Sequence, residues 1–455
     1  MPFDYGCFQG DESSVTRRTA LKLSLTGIVA ANAFTAPVTS QQDSNEEWVF
    51  ETGDSVQSSP TVVNETVYVG SDDNSLYAID ASTGTEKWAF ETNGRVVSSP
   101  TVVDGVVFVG SLDNFVYAID MTTGEELWKF EGNSSIKSSP TVVNGTVFVG
   151  ENYNNLYALN AETGEQKWAY DTATRVESSP TVVDGTVFVG NHNDKIFAFD
   201  AETGDKLWDY RTGFYIKSSP TVVDDTVFIG SDDGSLSALN TEDGTERWVF
   251  SNAADFGPGS EIESSPTVSD GTVFVGSTNS TFYAVDAESG EEVWTFETND
   301  GIQSSPTTVG NTVFVGSNDN NLYALDADTG TEQWVFETDG EIYSSPTVID
   351  GTIFVGSGDG NLYAITTTNE GSSDGSRTTL GTLGHHANWE YADQELDIQL
   401  PEEQSSTDPT EAQDTQDQSS ETQNNETLPW LGIGGAIATL GGAGYMLNRR
   451  RQSDD

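Results

Sequence analysis

A Ser-Ser-Pro element returns along this chain with its prolines at Pro60, Pro100, Pro140, Pro180, Pro220, Pro266, Pro306 and Pro346; six of the seven intervals are forty residues and one is forty-six. Tryptophan keeps the same rhythm, at Trp48, Trp88, Trp128, Trp168, Trp208, Trp248, Trp294 and Trp334. A period of this length belongs to propellers and solenoids, in which each unit covers its neighbour's apolar surface. Within a unit, SSPTVV, TVYVGS, LYAID and EKWAF are short runs rich in valine, threonine and aromatic residues, separated by Asn, Asp and Gly. Runs of that kind read as four antiparallel strands. The fold class expected is therefore an all-β, eight-bladed β-propeller of four-stranded antiparallel blades, residues 46–366, with a C-terminal transmembrane helix added by the segment described below. Both faces of Thr66-Val67-Tyr68-Val69 are largely apolar, as a sheet wedged between two other sheets requires.

The repeat count also predicts how the ring closes. Trp48 precedes the first Ser-Ser-Pro element, and the last unit, Ser344 to Ile365, lacks its tryptophan strand at the normal spacing. Pairing residues 46–52 with Leu362 to Thr366 completes the eighth blade and removes two open edges. The competing strand is Asn388-Trp389-Glu390-Tyr391. From Trp88 onward each tryptophan follows a turn ending in glycine, Thr-Gly in most units as at Thr83-Gly84, and sits on the outer strand, where its ring can cover the gap between blades.

Units such as TVFVGSNDNNLYALDADTGTEQWVF, residues 312–336, resemble pyrroloquinoline-quinone-type (PQQ-like) repeats. Such repeats occur in quinoprotein dehydrogenases and in the lipoprotein that supports outer-membrane protein assembly. Gly316, Leu322, Tyr323, Ala324, Asp326, Gly330 and Trp334 carry the resemblance. It implies a propeller and leaves two functions open: a scaffold that binds a protein or cell-envelope component, or a quinone-dependent dehydrogenase. In the dehydrogenases the quinone lies above the central channel with calcium, an aspartate base and a vicinal disulfide. Cys7 is the chain's one cysteine, which excludes that disulfide, and the blades lack long insertions. No catalytic or metal residues are assigned; PQQ and calcium remain the cofactors of the alternative reading.

Acidic residues number 73 against 18 basic ones, a formal net charge of −55. At about 1 M salt the screening length falls to roughly 3 Å and such self-repulsion is largely removed. The composition resembles that of exported proteins of extreme halophiles, haloarchaeal in type. No nucleic-acid partner is expected, because a broad basic face is incompatible with this field. One chain supplies the whole ring, so a monomeric propeller is expected.

The termini add a targeting scheme. TRRTALKLSLTGIVAANAFTA, residues 16–36, resembles a twin-arginine (Tat) export signal, with cleavage expected after Ala33, so that residues 1–33 form the signal peptide. Residues 367–427 read as a polar, acidic linker. LPWLGIGGAIATLGGAGYML, residues 428–447, is uncharged and long enough to cross about 30 Å of hydrocarbon as a transmembrane anchor, followed by a basic tail at 448–455. Together these predict an exported propeller at the cell surface, tethered to the cytoplasmic membrane.

Two columns of residues just before the Ser-Ser-Pro elements depart from the repeat. They place Arg95, Lys137, Arg175 and Lys217 at the second to fifth blades. With Tyr215, these four are the candidate contact surface for an anionic group or acidic partner around the channel mouth. His192 and Lys195 lie in a turn of the fourth blade and are read as surface residues away from that mouth. Asp72, Asp73, Asp113, Asp232, Asp233, Asp319 and Asp359 are read as turn residues bonding their own backbone.

Overall fold

The computed structural model describes residues 45–251, 260–369 and 371–373. A first strand, β1 (Asn45–Glu51), precedes the first complete blade, which consists of β2 (Thr61–Val63), β3 (Thr66–Gly70), β4 (Ser75–Asp80) and β5 (Glu86–Glu91). Strands β2 to β5 pair in sequence order, and the pattern repeats through the blade ending at Glu337. The ring has eight four-stranded antiparallel sheets. β3 is buried along its whole length, as its two apolar faces require.

The eighth sheet is completed by β1, which pairs antiparallel with Asn361–Thr366: Val49 lies opposite Tyr363 and Glu51 opposite Asn361. This is the closure read from the orphan tryptophan. The competing strand at 388–391 lies outside the described residues, and the edge it would need is occupied by β1.

The core is divided among the gaps between blades. One cluster joins Phe108, Val116 and Trp128 of the second blade to Ile136, Val147 and Leu159 of the third; another joins Phe354 and Leu362 to Val67 and Ile79 across the closure. The tryptophans clamp these gaps from outside. Trp128 donates its indole N–H to the carbonyl of Ala161 at 2.9 Å, and its ring lies on Gly164, where a Cβ would come within 2.6 Å of the indole. Gly164 has φ +71°, so the turn needs glycine both for its backbone and for the ring above it.

The Ser-Ser-Pro-Thr element builds the inner wall. Its first serine accepts the N–H of the glycine that ends the blade's second strand, as Ser58 does from Gly70 at 3.1 Å. The N–H of the second serine donates to the second serine of the next blade, Ser59 to Ser99 at 3.0 Å. That bond repeats around all eight blades until Ser345 donates to Ser59. The threonine hydroxyl donates to the next blade's proline carbonyl, Thr61 to Pro100 at 2.7 Å and finally Thr347 to Pro60. Two closed belts of hydrogen bonds thus surround the axis. Each neutral bond contributes about 1 kcal/mol net, and together they fix the register of every blade against the next.

The fold class is corrected in one respect: the described residues contain no helix, and none among them is long and apolar enough to cross a membrane. The transmembrane helix expected at 428–447 lies outside the described residues, and the membrane tether and cell-surface localisation drawn from it are withdrawn. Six of those twenty residues are glycine, each costing a helix about 1 kcal/mol relative to alanine. Residues 1–33, most of 367–427 and the tail also lie outside the described residues.

Candidate functional site

The segment leading into each inner strand meets the turn between the second and third strands at one end of the axis. Asp72 N–H donates to the Ser55 carbonyl at 2.9 Å, and the equivalent bond recurs from His192 to Arg175 and from Asp232 to Tyr215. Three side-chain columns therefore share this lead-in face: the two that hold Arg95 and Lys137, and a turn column containing Asp72, Asn152, His192, Asp232 and Asn318.

Three of the four basic residues are engaged by carboxylates. The Arg95 guanidinium lies 3.2 Å from Asp72 of the preceding blade, whose same oxygen accepts from Gln57 at 2.7 Å. Lys137 lies 3.1 Å from Glu177 of the following blade. Lys217 is held between Asp232 at 3.0 Å and Glu263, and Glu263 also accepts from Gln303. Arg175 is exposed and makes no ion pair among the described residues.

Burial decides the protonation behaviour of these pairs. Glu177 is only 11% exposed. Burial opposes its charge, but His192, whose Nε2 lies 3.6 Å away, and Lys137 outweigh that and hold the carboxyl at about 2. Burial likewise opposes the charge on Lys217, yet Glu263 and Asp232 raise its pKa well above the ordinary lysine value. Asp232 is pushed up, first by burial and further by the Glu263 charge, because one ammonium serves both carboxylates.

His192 is corrected from a remote surface residue to a member of this face. Its side chain is 10% exposed, and its ring stacks on Tyr215 with centroids 5.2 Å apart and planes 10° from parallel. Phe214 stacks on Tyr215 in turn at 4.2 Å. Lys137, Glu177, His192, Tyr215 and Phe214 thus form one continuous chain of contacts across three blades. Phe214 and Tyr215 remain 47% and 40% exposed. The turn column was the signal that could have placed His192, since the same repeat position carries Asp72 and Asp232. The other turn aspartates behave as expected: Asp73 Oδ1 accepts from Ser75 N–H at 2.9 Å. Lys195 pairs with Asp209 at 2.7 Å.

In the turn column Asp72 Oδ1, Asn152 Oδ1, Asp232 Oδ1 and Asn318 Oδ1 are buried without a hydrogen-bond partner among the described residues. No group of three His, Cys, Asp or Glu side chains among the described residues is arranged to hold a metal ion. Asp72 is tied to Arg95, Glu177 to Lys137, and Asp232 and Glu263 share Lys217, so protein cations already take these carboxylates and the residues present do not fit the calcium that the dehydrogenase resemblance implies.

The sequence profile described as outer membrane protein assembly factor BamB matches residues 32–137, 112–281 and 251–379. No curated protein matches the chain. Among solved structures, BamB from Moraxella catarrhalis is 21% identical with a TM-score of 0.61, covering 71% of this chain and 99% of its own. The computationally designed Ika8 protein is 18% identical with a TM-score of 0.63, covering 71% and 99%. Quinohemoprotein alcohol dehydrogenase from Comamonas testosteroni is 18% identical with a TM-score of 0.62, covering 73% and 78%. An assembly factor, a design and a dehydrogenase resemble the chain about equally, so these likenesses establish the fold alone.

Proposed function

Because the chain belongs to the repeat-propeller family described as outer membrane protein assembly factor BamB, we propose that it is a scaffold that binds another protein through its lead-in face. The observation that carries this reading is Arg175, exposed and without an ion pair among the described residues, whose carbonyl accepts the His192 N–H beside the exposed Phe214–Tyr215 stack. Arginine and aromatic residues dominate the energetic centres of protein interfaces. In a chain of net charge −55, a guanidinium without a carboxylate partner is a specific place for a partner's acidic group. Arg95, Lys137 and Lys217 have a different part: their ion pairs hold the face in shape.

The test is affinity capture at high salt with the wild-type protein and an Arg175→Ser/Phe214→Ser/Tyr215→Ser variant. A defined protein recovered by the wild type and lost from the variant, but retained by a variant altered at exposed Leu207, is the expected result. Equal recovery by all three overturns the assignment of this face. The family fold also serves quinoprotein dehydrogenases, so the protein is additionally reconstituted with calcium and the quinone. A bound visible chromophore with turnover of an alcohol overturns the scaffold reading.

A further inference from the structure

One blade lacks a side chain that the others use to seal the gap at the lead-in face. In the first blade Tyr77 lies between Val69 and Ala89 in the sheet. Its ring packs edge-on against Phe50 with centroids 5.3 Å apart. Its hydroxyl donates to Asp73 Oδ2 at 2.7 Å, an oxygen that also accepts the Gly53 N–H at 2.7 Å. The second, seventh and eighth blades repeat the arrangement: Tyr117, Tyr323 and Tyr363 pack on Phe90, Phe296 and Phe336. Their hydroxyls donate to Asp113, Asp319 and Asp359. In the fourth blade Phe197 keeps the ring, packed on Tyr170.

In the fifth blade the equivalent residue, between Ile229 and Val249, is Ser237. The carboxylate is still there: Asp233 Oδ2 accepts the Gly213 N–H at 2.6 Å, but no phenol among the described residues donates to it. Tyr210, in the position of Phe50, has no ring partner among the described residues and turns its hydroxyl to Glu246 at 2.6 Å. What remains is a cavity of about 190 Å³ lined by Tyr210, Thr212, Gly213, Asp233, Ser237 and Val249. The pocket opens to solvent and is lined largely by polar residues, and its volume is enough for one six-membered ring, which needs on the order of 150 Å³.

We infer that this cavity is a binding site for a phenol group, supplied by a tyrosine side chain of the partner protein. The other blades are the template: an aromatic wall for the ring, a carboxylate oxygen for the hydroxyl, and a glycine N–H fixing that oxygen. Gly213 lines the cavity and is followed directly by the exposed Phe214–Tyr215 pair, so the site borders the proposed contact surface. The phenol chemistry follows from the fold alone; the assignment of the phenol to a partner rests on the scaffold reading.

The experiment uses the purified full chain in high salt and measures Tm and calorimetric binding with p-cresol, toluene and N-acetyl-tyrosinamide. p-Cresol is expected to bind and raise Tm. Toluene, which lacks the donor, should bind several-fold more weakly, as the loss of one hydrogen bond implies. Ser237→Tyr, which restores the missing residue, should raise Tm by roughly 2 °C or more without ligand and abolish the response to p-cresol. Ser237→Phe, the fourth blade's solution, serves the same purpose if the tyrosine variant does not fold. No p-cresol binding by the wild type, or an equal response from the filled variant, overturns the site. Binding of p-cresol with exclusion of N-acetyl-tyrosinamide overturns the partner's tyrosine as its occupant. Neither result bears on capture through Arg175, which is tested separately.

Discussion

Glu177 stands where three elements meet: Lys137 from the preceding blade, His192 from its own, and through His192 the stacked Tyr215 of the next. Its carboxyl is held at about 2 against an ordinary 4.5. A carboxyl depressed on folding contributes stability that is complete above its unfolded value and disappears as pH falls through the folded one. Glu177→Gln is therefore expected to lower stability at neutral pH by on the order of 2 kcal/mol after salt screening. The gap between wild type and variant should close between pH 4.5 and about 2. Denaturant unfolding at constant salt across that range checks this; a gap independent of pH would show that the charge is not its source. The four basic residues were legible as a departure from the repeat. Their partners were harder to read, because Arg95 reaches back 23 residues to Asp72 and Lys137 forward 40 to Glu177, pairs that only the stacking of neighbouring blades brings together.

At the scale of the element, the tryptophan strand and the glycine turn form one device split between two blades. Both halves were visible as a Trp rhythm and a Thr-Gly rhythm, and the gap-covering role follows from ring size alone. That Trp128 rests on the glycine of the following unit is fixed by the stagger between blades, which no single repeat encodes. Gly164→Ala brings a methyl within 2.6 Å of the indole and puts alanine at φ +71°. The expected cost is about 2 kcal/mol, read as a lower denaturation midpoint with unchanged slope. A neutral substitution would mean that the ring is not seated there. The roles of the two serines and the threonine were not legible. Their partners lie on β3 or one blade away around the axis, and a Ser-Ser-Pro-Thr string by itself looks like a turn.

For the whole molecule, the decisive step is that the first strand joins the last sheet. An open arc would expose β1 and the edge at Asn361–Thr366 and break the two belts, one between Ser345 and Ser59 and the other between Thr347 and Pro60. The missing tryptophan of the last unit and the surplus one at Trp48 made that closure readable, since an unpaired strand at each end of a repeat array is an unsolved edge. Because Thr52 N–H donates to the Gly360 carbonyl at 2.8 Å, the adjoining pair Glu51–Asn361 falls at a non-hydrogen-bonded position, where the Cα atoms are about 4.5 Å apart and within disulfide reach. The direct measurement is oxidation of a Glu51→Cys/Asn361→Cys variant in which Cys7, the chain's one cysteine, is replaced by serine. A closed ring gives an intramolecular disulfide in the monomer, with a raised Tm and a faster-migrating band on non-reducing electrophoresis. Two free thiols, or disulfides only between molecules, would contradict the closure.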